Sequence, residues 1–221
     1  MKLLLLSFSF VLSSTLNGLI AQRHPGMYRN QLKTSVTQPL SMLSPAVELS
    51  YERYYRKNLS SAFTIGKVIN HPIPDAQDFR NMKGFELAVE TKWFEKANEL
   101  SRKRGYIAAE LIYINQQYNA TNSFTDTPWP DDNPYFDSIG VKRYSIGLSG
   151  KAGFKVRFGH FMMDLSGGLG LRYVDSKHTN KINPGSEDVN SRHPNVWHAF
   201  AKEGKRVGVA LPLAFKIGYT F

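Results

Sequence analysis

The sequence predicts an all-β fold, an eight-stranded antiparallel transmembrane β-barrel wound as an up-and-down meander. Three observations carry this. Apolar and polar residues alternate along most of the chain, the last fifteen residues alternate without a break, and the connections between alternating stretches are short and long in turn. From Val207 to Phe221, one face takes Val207, Val209, Leu211, Leu213, Phe215, Ile217, Tyr219 and Phe221. The other takes Gly208, Ala210, Pro212, Ala214, Lys216, Gly218 and Thr220. Strands of soluble sheets usually run about 5–6 residues, whereas a tilted strand crossing a bilayer needs about 9–11.

The N-terminus reads as a secretory signal peptide over residues 1–21, followed by one barrel domain over 22–221. Met1 and Lys2 form a positive n-region, Leu3 to Val11 an apolar h-region, and Ala21 a residue to cut behind, leaving Gln22 as the mature start. Ser7, Ser9, Ser13, Ser14, Thr15 and Asn17 interrupt the apolar run, so it suits a spanning helix poorly. No later stretch approaches the roughly 20 apolar residues such a helix needs. With no cysteine, the chain has neither a disulfide framework nor a lipid-modified cysteine anchor.

Strands are expected over 30–40, near 45–55, and over 59–69, 84–94, 105–117, 143–158, 159–175 and 207–221. Near 45–55, Val47, Leu49 and Tyr51 oppose Glu48, Ser50 and Glu52. In 84–94, Phe85, Leu87, Val89 and Trp93 oppose Glu86, Ala88, Glu90 and Lys92. In 143–158, Tyr144, Ile146, Leu148 and Phe154 oppose Arg143, Ser145, Gly147, Ser149, Lys151 and Lys155. In 159–175, Phe161, Met163, Leu165 and Leu171 oppose His160, Asp164, Ser166 and Arg172.

Periplasmic turns of such barrels are short and outer loops long. Arg56–Asn58, Lys96–Arg104 and Phe158–Gly159 are the expected periplasmic turns, and 70–83, 118–142 and 176–206 the outer loops. The first outer connection, near Ser41–Ser44, is short. Tyr54, Tyr55, Trp93, Phe94, Tyr106, Phe158, Phe161, Tyr219 and Phe221 then gather at the periplasmic rim, as an interfacial girdle does.

The mean hydropathy of −0.35 agrees with strands that show only alternate residues to lipid. A net charge of +10 raises nucleic acid as a partner, but the basic residues are dispersed through strands and turns and the chain carries an export signal. Anionic lipid head groups and lipopolysaccharide are the expected counter-charge. A soluble lipocalin-like barrel with its apolar face inward is the competing fold. The Gly-, Ala- and Ser-rich polar face fits a crowded small-barrel interior better than a water-facing surface.

Lys33–Thr34–Ser35 leading to Ser50–Tyr51–Glu52–Arg53, and Leu211–Pro212–Leu213 leading to Gly218–Tyr219–Thr220–Phe221, together with the signal peptide, resemble small eight-stranded outer-membrane proteins of the Bacteroidota. More distantly the chain is similar to OmpW- and OmpX-type barrels. The resemblance implies that Tyr219 and Phe221 form a signal read by the barrel-assembly machinery. It implies no catalytic or ligand residues.

On the polar faces, Glu48, Glu52, Glu86, Glu90, Glu110 and Asp164 would meet Lys33, Lys92, Lys151, Lys155, Arg172 and Lys216 in the lumen. Burying any of them alone is prohibitive, so ion-paired networks are expected. A side-chain-filled interior is the first reading and a narrow solute-conducting path the alternative. Glu86 and Glu90 also form a pair suited to acid–base chemistry, which an interior ladder explains equally well.

His178, His193 and His198, with Asp175, Glu187 or Asp188, could surround a metal ion, but their spacing fits no compact ligand motif. Asp126, Asp131, Asp132 and Asp137 are calcium-ligand types, yet Pro128, Pro130 and Pro134 break any EF-hand spacing. Asp137–Ser138–Ile139 looks like a short O-glycosylation acceptor. A lipid A-modifying enzyme would need Ser, His and carboxylate converging near the outer leaflet. The chain has no Gly-x-Ser-x-Gly elbow, and His160 falls at the periplasmic end. The expectation is therefore a structural or surface-binding barrel, not an enzyme, with no cofactor and with the outer loops free to hold a surface ligand.

Overall fold

Two-residue alternation becomes strand throughout. The computed structural model describes residues 30–41, 44–70, 79–95, 102–121, 138–182 and 203–221, so the segment read as a signal peptide lies outside the described residues. Nine strands follow in order: β1 (Asn30–Ser35), β2 (Ala46–Arg56), β3 (Leu59–Val68), β4 (Phe79–Phe94), β5 (Lys103–Thr121), β6 (Ser138–Phe158), β7 (Phe161–Ile182), β8 (Gly204–Ala210) and β9 (Leu213–Thr220). A short 3₁₀ turn at Gln38–Leu40 separates β1 from β2. Each strand pairs antiparallel with the next up to β7, and β9 pairs with both β7 and β1, closing the barrel. Reciprocal backbone bonds between Asn30 and Phe221 (3.1 and 2.9 Å) finish the seam.

β8 and β9 are two lengths of one eighth strand. Gly170 faces Ala210 and Gly167 faces Leu213, so the register against β7 runs through the interruption unchanged. The unbroken strand expected over 207–221 is thus cut at Leu211–Pro212. Pro212 has no N–H to donate, although its carbonyl still accepts a bond from Gly168 (3.0 Å). On its other side β1 has already turned away: the last bond there joins Val36 N–H to the Phe215 carbonyl (2.8 Å). β8 therefore ends the sheet with β7 as its one strand partner, the edge situation in which proline is tolerated.

The register also sets the stagger. Gly218 faces Lys33, and the row continues through Ser50, Thr64, Ala88, Ile112, Gly147 and Arg172 to Gly208, ten residues from its start on the same strand. For eight strands such a stagger implies a tilt of about 40°.

At one end the turns are tight. β2 and β3 join at Lys57–Asn58, and β6 and β7 at Gly159–His160, where Gly159 takes the positive φ (64°) that a two-residue hairpin needs. At the other end the strands run well past the expected limits. β4 begins at Phe79, β5 reaches Thr121, β6 begins at Ser138 and β7 continues to Ile182, so the ends of 70–83, 118–142 and 176–206 are strand where loop was expected, and 122–137 and 183–202 lie outside the described residues. Asn81 (φ 57°) and Asn180 (φ 52°), in the left-handed region, sit where the β4–β5 and β6–β7 registers slip.

Outward faces are apolar and exposed, from Val47 and Ile65 round to Leu148, Leu171, Val209 and Leu213, while the charged faces point inward and are buried. This burial is inverted relative to the soluble lipocalin-like alternative. The expected girdle divides. Trp93, Phe158, Phe161, Tyr219 and Phe221 are exposed on the outer face, but Tyr54, Phe94 and Tyr106 pack together inside the barrel. Their parity explains it: Tyr54 follows Glu52, and Phe94 follows Lys92, on the inward face. Tyr106 stands directly opposite Gly153, and its ring lies where a side chain at 153 would be.

A Cβ at position 153 would stand 2.5 Å from the Leu165 carbonyl oxygen and 2.6 Å from the Tyr106 ring. Gly153→Ala is therefore expected to cost about 1–3 kcal/mol by overpacking, measured as a lower urea midpoint for the detergent-folded protein. Gly150→Ala, where a Cβ meets nothing within 4 Å, should leave the midpoint unchanged.

Candidate functional site: the charged lumen

Opposite charges line opposite walls. β2, β4 and β5 turn Glu48, Glu52, Glu86, Glu90 and Glu110 inward, whereas β1, β6 and β9 turn Lys33, Lys151, Lys155 and Lys216 toward them. Lys92 on β4 and Asp164 on β7 each sit on the wall of the other sign, which gives the centre a mixed lattice.

Near the tight-turn end, the Glu52 carboxylate takes hydrogen bonds from Lys33, from Lys155 and from the Ser60 hydroxyl (2.6 Å), with Lys92 3.7 Å away. Asp164 receives Lys33 at 3.0 Å, Lys92 at 2.6 Å and the Tyr106 hydroxyl. Lys155 also reaches Gln31 Oε1 and the Tyr54 hydroxyl, both at 3.1 Å, and its ammonium lies 5.0 Å from the centre of the Phe94 ring. The aromatic residues Tyr54, Phe94 and Tyr106 thus cap the network and supply hydroxyls and π faces to its lysines. Lys33, Lys92 and Glu52 are completely enclosed.

One step along the lumen, Lys151 bridges Glu110 and Glu90 (3.3 Å to the latter), and Glu90 also meets Lys92 at 3.2 Å. Further on, Lys216 lies 3.7 Å from Glu48 and donates to the Ser50 hydroxyl (3.4 Å). Glu86 behaves differently. It accepts from Gln38 Nε2 (3.1 Å) and contacts the Glu48 carboxyl, with no lysine in ion-pair range among the described residues. Gln38 in turn donates to the Ser44 carbonyl (3.2 Å), so the 3₁₀ turn is pinned across the lumen to β4.

The structure gathers nearly all the sequence-predicted lumen residues: Glu52, Glu90, Lys92, Lys151, Lys155 and Asp164 join Lys33 and Glu110 in one connected set of ion pairs, and Glu48 pairs with Lys216. Glu86 and Arg172 are inside but outside those pairs. Glu86 and Glu90, read together as a possible acid–base pair, fall into separate clusters, with Glu90 held by two ammonium groups. Gln31, Gln38 and Ser60 were not singled out from the sequence, and Tyr54 and Tyr106 were expected in the rim girdle instead of the lumen. Inward parity was the available signal for all but Gln38, whose helical turn has no period of two. Arg143, Arg206 and Tyr118 line the lumen toward the long-hairpin end.

His178 lies on β7 instead of in a loop, with Glu203 as neighbour at 3.7 Å, and Asp175 accepts the Tyr144 hydroxyl at 2.8 Å. His193, His198, Glu187, Asp188 and Asp126, Asp131, Asp132 and Asp137 lie outside the described residues.

Comparison of the chain with family models, curated proteins and solved structures finds no match. The chemistry of the site therefore rests on its geometry. Glu48, Glu52, Glu90, Glu110 and Asp164 each meet at least one ammonium group, and Glu86 among the described residues meets none, so the ion-paired lattice fills and braces the interior.

Asp164→Asn would leave Lys33 and Lys92 short of a counter-charge in a closed interior. Removing one partner of a buried ion pair costs about 3–5 kcal/mol. The variant should show a correspondingly lower urea midpoint, and a loss below about 1 kcal/mol would contradict the network's role as a brace.

Proposed function

We propose that the protein is an outer-membrane barrel of structural or surface-binding type, closed to through-flow by its lumen side chains, with its long hairpins on the cell exterior. The inverted burial carries this reading: an apolar face exposed all round and a charged interior are stable where lipid, not water, surrounds the barrel. Closure leaves every strand but β8 paired on both sides over most of its shared height, as a hydrocarbon environment demands.

Aromatic residues support the placement at both edges of the apolar band. Trp93, Phe158, Phe161, Tyr219 and Phe221 mark the tight-turn edge, and Phe85 with Tyr113 and Tyr144 with Tyr173 form neighbouring ring pairs toward the other. Just beyond the second group, Lys83, Gln117, Lys142 and Lys177 face one another in register across four strands, all exposed on the outer face. Like charges directly opposite destabilise a sheet, and anionic head groups, including lipopolysaccharide phosphates, are the natural counter-charge for such a row. The export-type N-terminus and the likeness to small Bacteroidota barrels agree with this placement. Glu52, Glu90 and Asp164 are held by lysine ammonium groups, which supports reading them as structural.

Two measurements test the reading. In planar bilayers the purified protein should give no steady conductance, because enclosed Lys33, Lys92, Glu52 and Asp164 cross the lumen; stable single-channel steps would favour a narrow channel instead. Tyr219 is exposed and ring-packed against Phe161 at 5.9 Å, and Phe221 is exposed at the seam, which supports reading the pair as an assembly signal. Deleting Phe221 should lower outer-membrane yield, whereas Thr220→Ser, which keeps the hydroxyl bond to the His160 carbonyl, should not. Equal yields would remove the assembly role.

A further inference from the structure

The outer half of the lumen carries positive charge that the lattice below does not neutralise. Arg143 faces inward between Gln116 on β5 and Ser176 on β7, and its guanidinium is bonded to the Tyr118 hydroxyl. Arg172, two repeats of the pleat deeper, stands between Gly147 on β6 and Gly208 on β8. Arg206 enters from β8, opposite Val174. Neither Arg143 nor Arg172 makes an ion pair among the described residues. The nearest carboxylates to Arg172, those of Glu86 and Glu110, are taken by Gln38 and Glu48 in one case and by Lys151 in the other.

Two further observations point to a ligand. Arg172 Nε and Ser176 Oγ are buried without a hydrogen-bond partner, and Ser176 is wholly enclosed. Beside them the wall is made of glycine: a Cβ at Gly208 or at Gly204, directly across from Arg172 and Ser176, would meet nothing within 4 Å. The Arg172 guanidinium, whose Nε has no acceptor among the described residues, borders this free space, and the Gln116 amide stands across from Arg143.

We propose that this vestibule binds a phosphoryl group, with Arg172 and Arg143 as its guanidinium clamps. Guanidinium is the side chain best shaped for two-point recognition of phosphate, and a site enclosed by the barrel strengthens each charge-assisted bond. The two arginines lie four residues apart in register, about 13 Å along the strand, a span that their side chains close around one phosphoryl or pyrophosphoryl unit. Below the site, Glu86 and Glu48 turn an anion back and the lysine–carboxylate lattice blocks the lumen, so the vestibule is a dead-end receptor. The inference deepens the surface-binding reading and rests on it for the direction from which the occupant arrives.

The test uses the full mature chain folded in a zwitterionic detergent, where the result does not depend on membrane placement. Thermal unfolding is followed while pyrophosphate, or alternatively lipid A in mixed micelles, is titrated at constant ionic strength. Wild type should be protected in a saturable manner. Arg172→Gln should fold with an unligated midpoint at or above wild type, because the lost guanidinium makes no ion pair among the described residues and leaves Nε unbonded, and should bind about tenfold or more weakly. Gly208→Phe, which fills the space without changing charge, should also abolish protection. Protection by pyrophosphate assigns a soluble phosphorylated occupant, and protection by lipid A alone assigns the phosphate to a lipid head group. No protection of wild type by either, or equal protection of wild type and Arg172→Gln, overturns the proposal. Either overturning result leaves the conductance and yield measurements, and thus the barrel reading, intact.

Discussion

Everything else in this barrel depends on lysine ammonium groups reaching across the lumen to carboxylates on the far wall. Lys155 on β6 and Lys33 on β1, far apart in the chain, converge on Glu52 of β2, and Lys33 and Lys92 converge on Asp164 of β7. A buried ion pair is weak evidence of net stability, since desolvation offsets much of the Coulomb attraction. Its larger effect here is on specificity. A slip of one residue in any strand would turn its charges onto the apolar outer face and its leucines into the lattice, so the lattice penalises every wrong register at once.

The same lattice explains why the interior has two characters. Where carboxylates and lysines alternate around the wall, they saturate one another, and Tyr54, Phe94 and Tyr106 cap that end with rings and hydroxyls. Beyond Glu48 and Glu86 the lysines give way to Arg143, Arg172 and Arg206, and no carboxylate on the described strands pairs with the first two. Filler and vestibule are therefore consequences of where along each strand acidic residues stop.

Stagger supplies the rest of the asymmetry. A ten-residue climb around eight strands means that β7 and the eighth strand rise past the point where β1 has already turned into its 3₁₀ segment. β8 consequently faces β7 alone, Pro212 can interrupt the strand at little cost, and the glycines of β8 border open space beside Arg172. In lipid, a strand edge of this kind requires cover, which makes residues 36–41, tied by Thr37 to Phe215 and by Gln38 to Glu86, part of the wall.

Alternation by itself determined the all-β class, the eight-strand meander, the outward set of apolar residues and the inward set of charges, because side-chain direction in a strand has a period of two and does not depend on partners. It also placed Glu52, Glu90, Lys92, Lys155 and Asp164 inside. Pairing was beyond its reach: which lysine meets which carboxylate depends on register and stagger, which are set only when the sheet closes. That is why Glu86 ends beside Gln38 and Glu48, why Arg172 ends beside glycine, and why Tyr106 lies over Gly153 in the lumen instead of joining a girdle. Strand ends were equally hidden, since hairpins that leave the apolar band lose their hydrophobic signal while keeping their backbone ladder, as β5, β6 and β7 do.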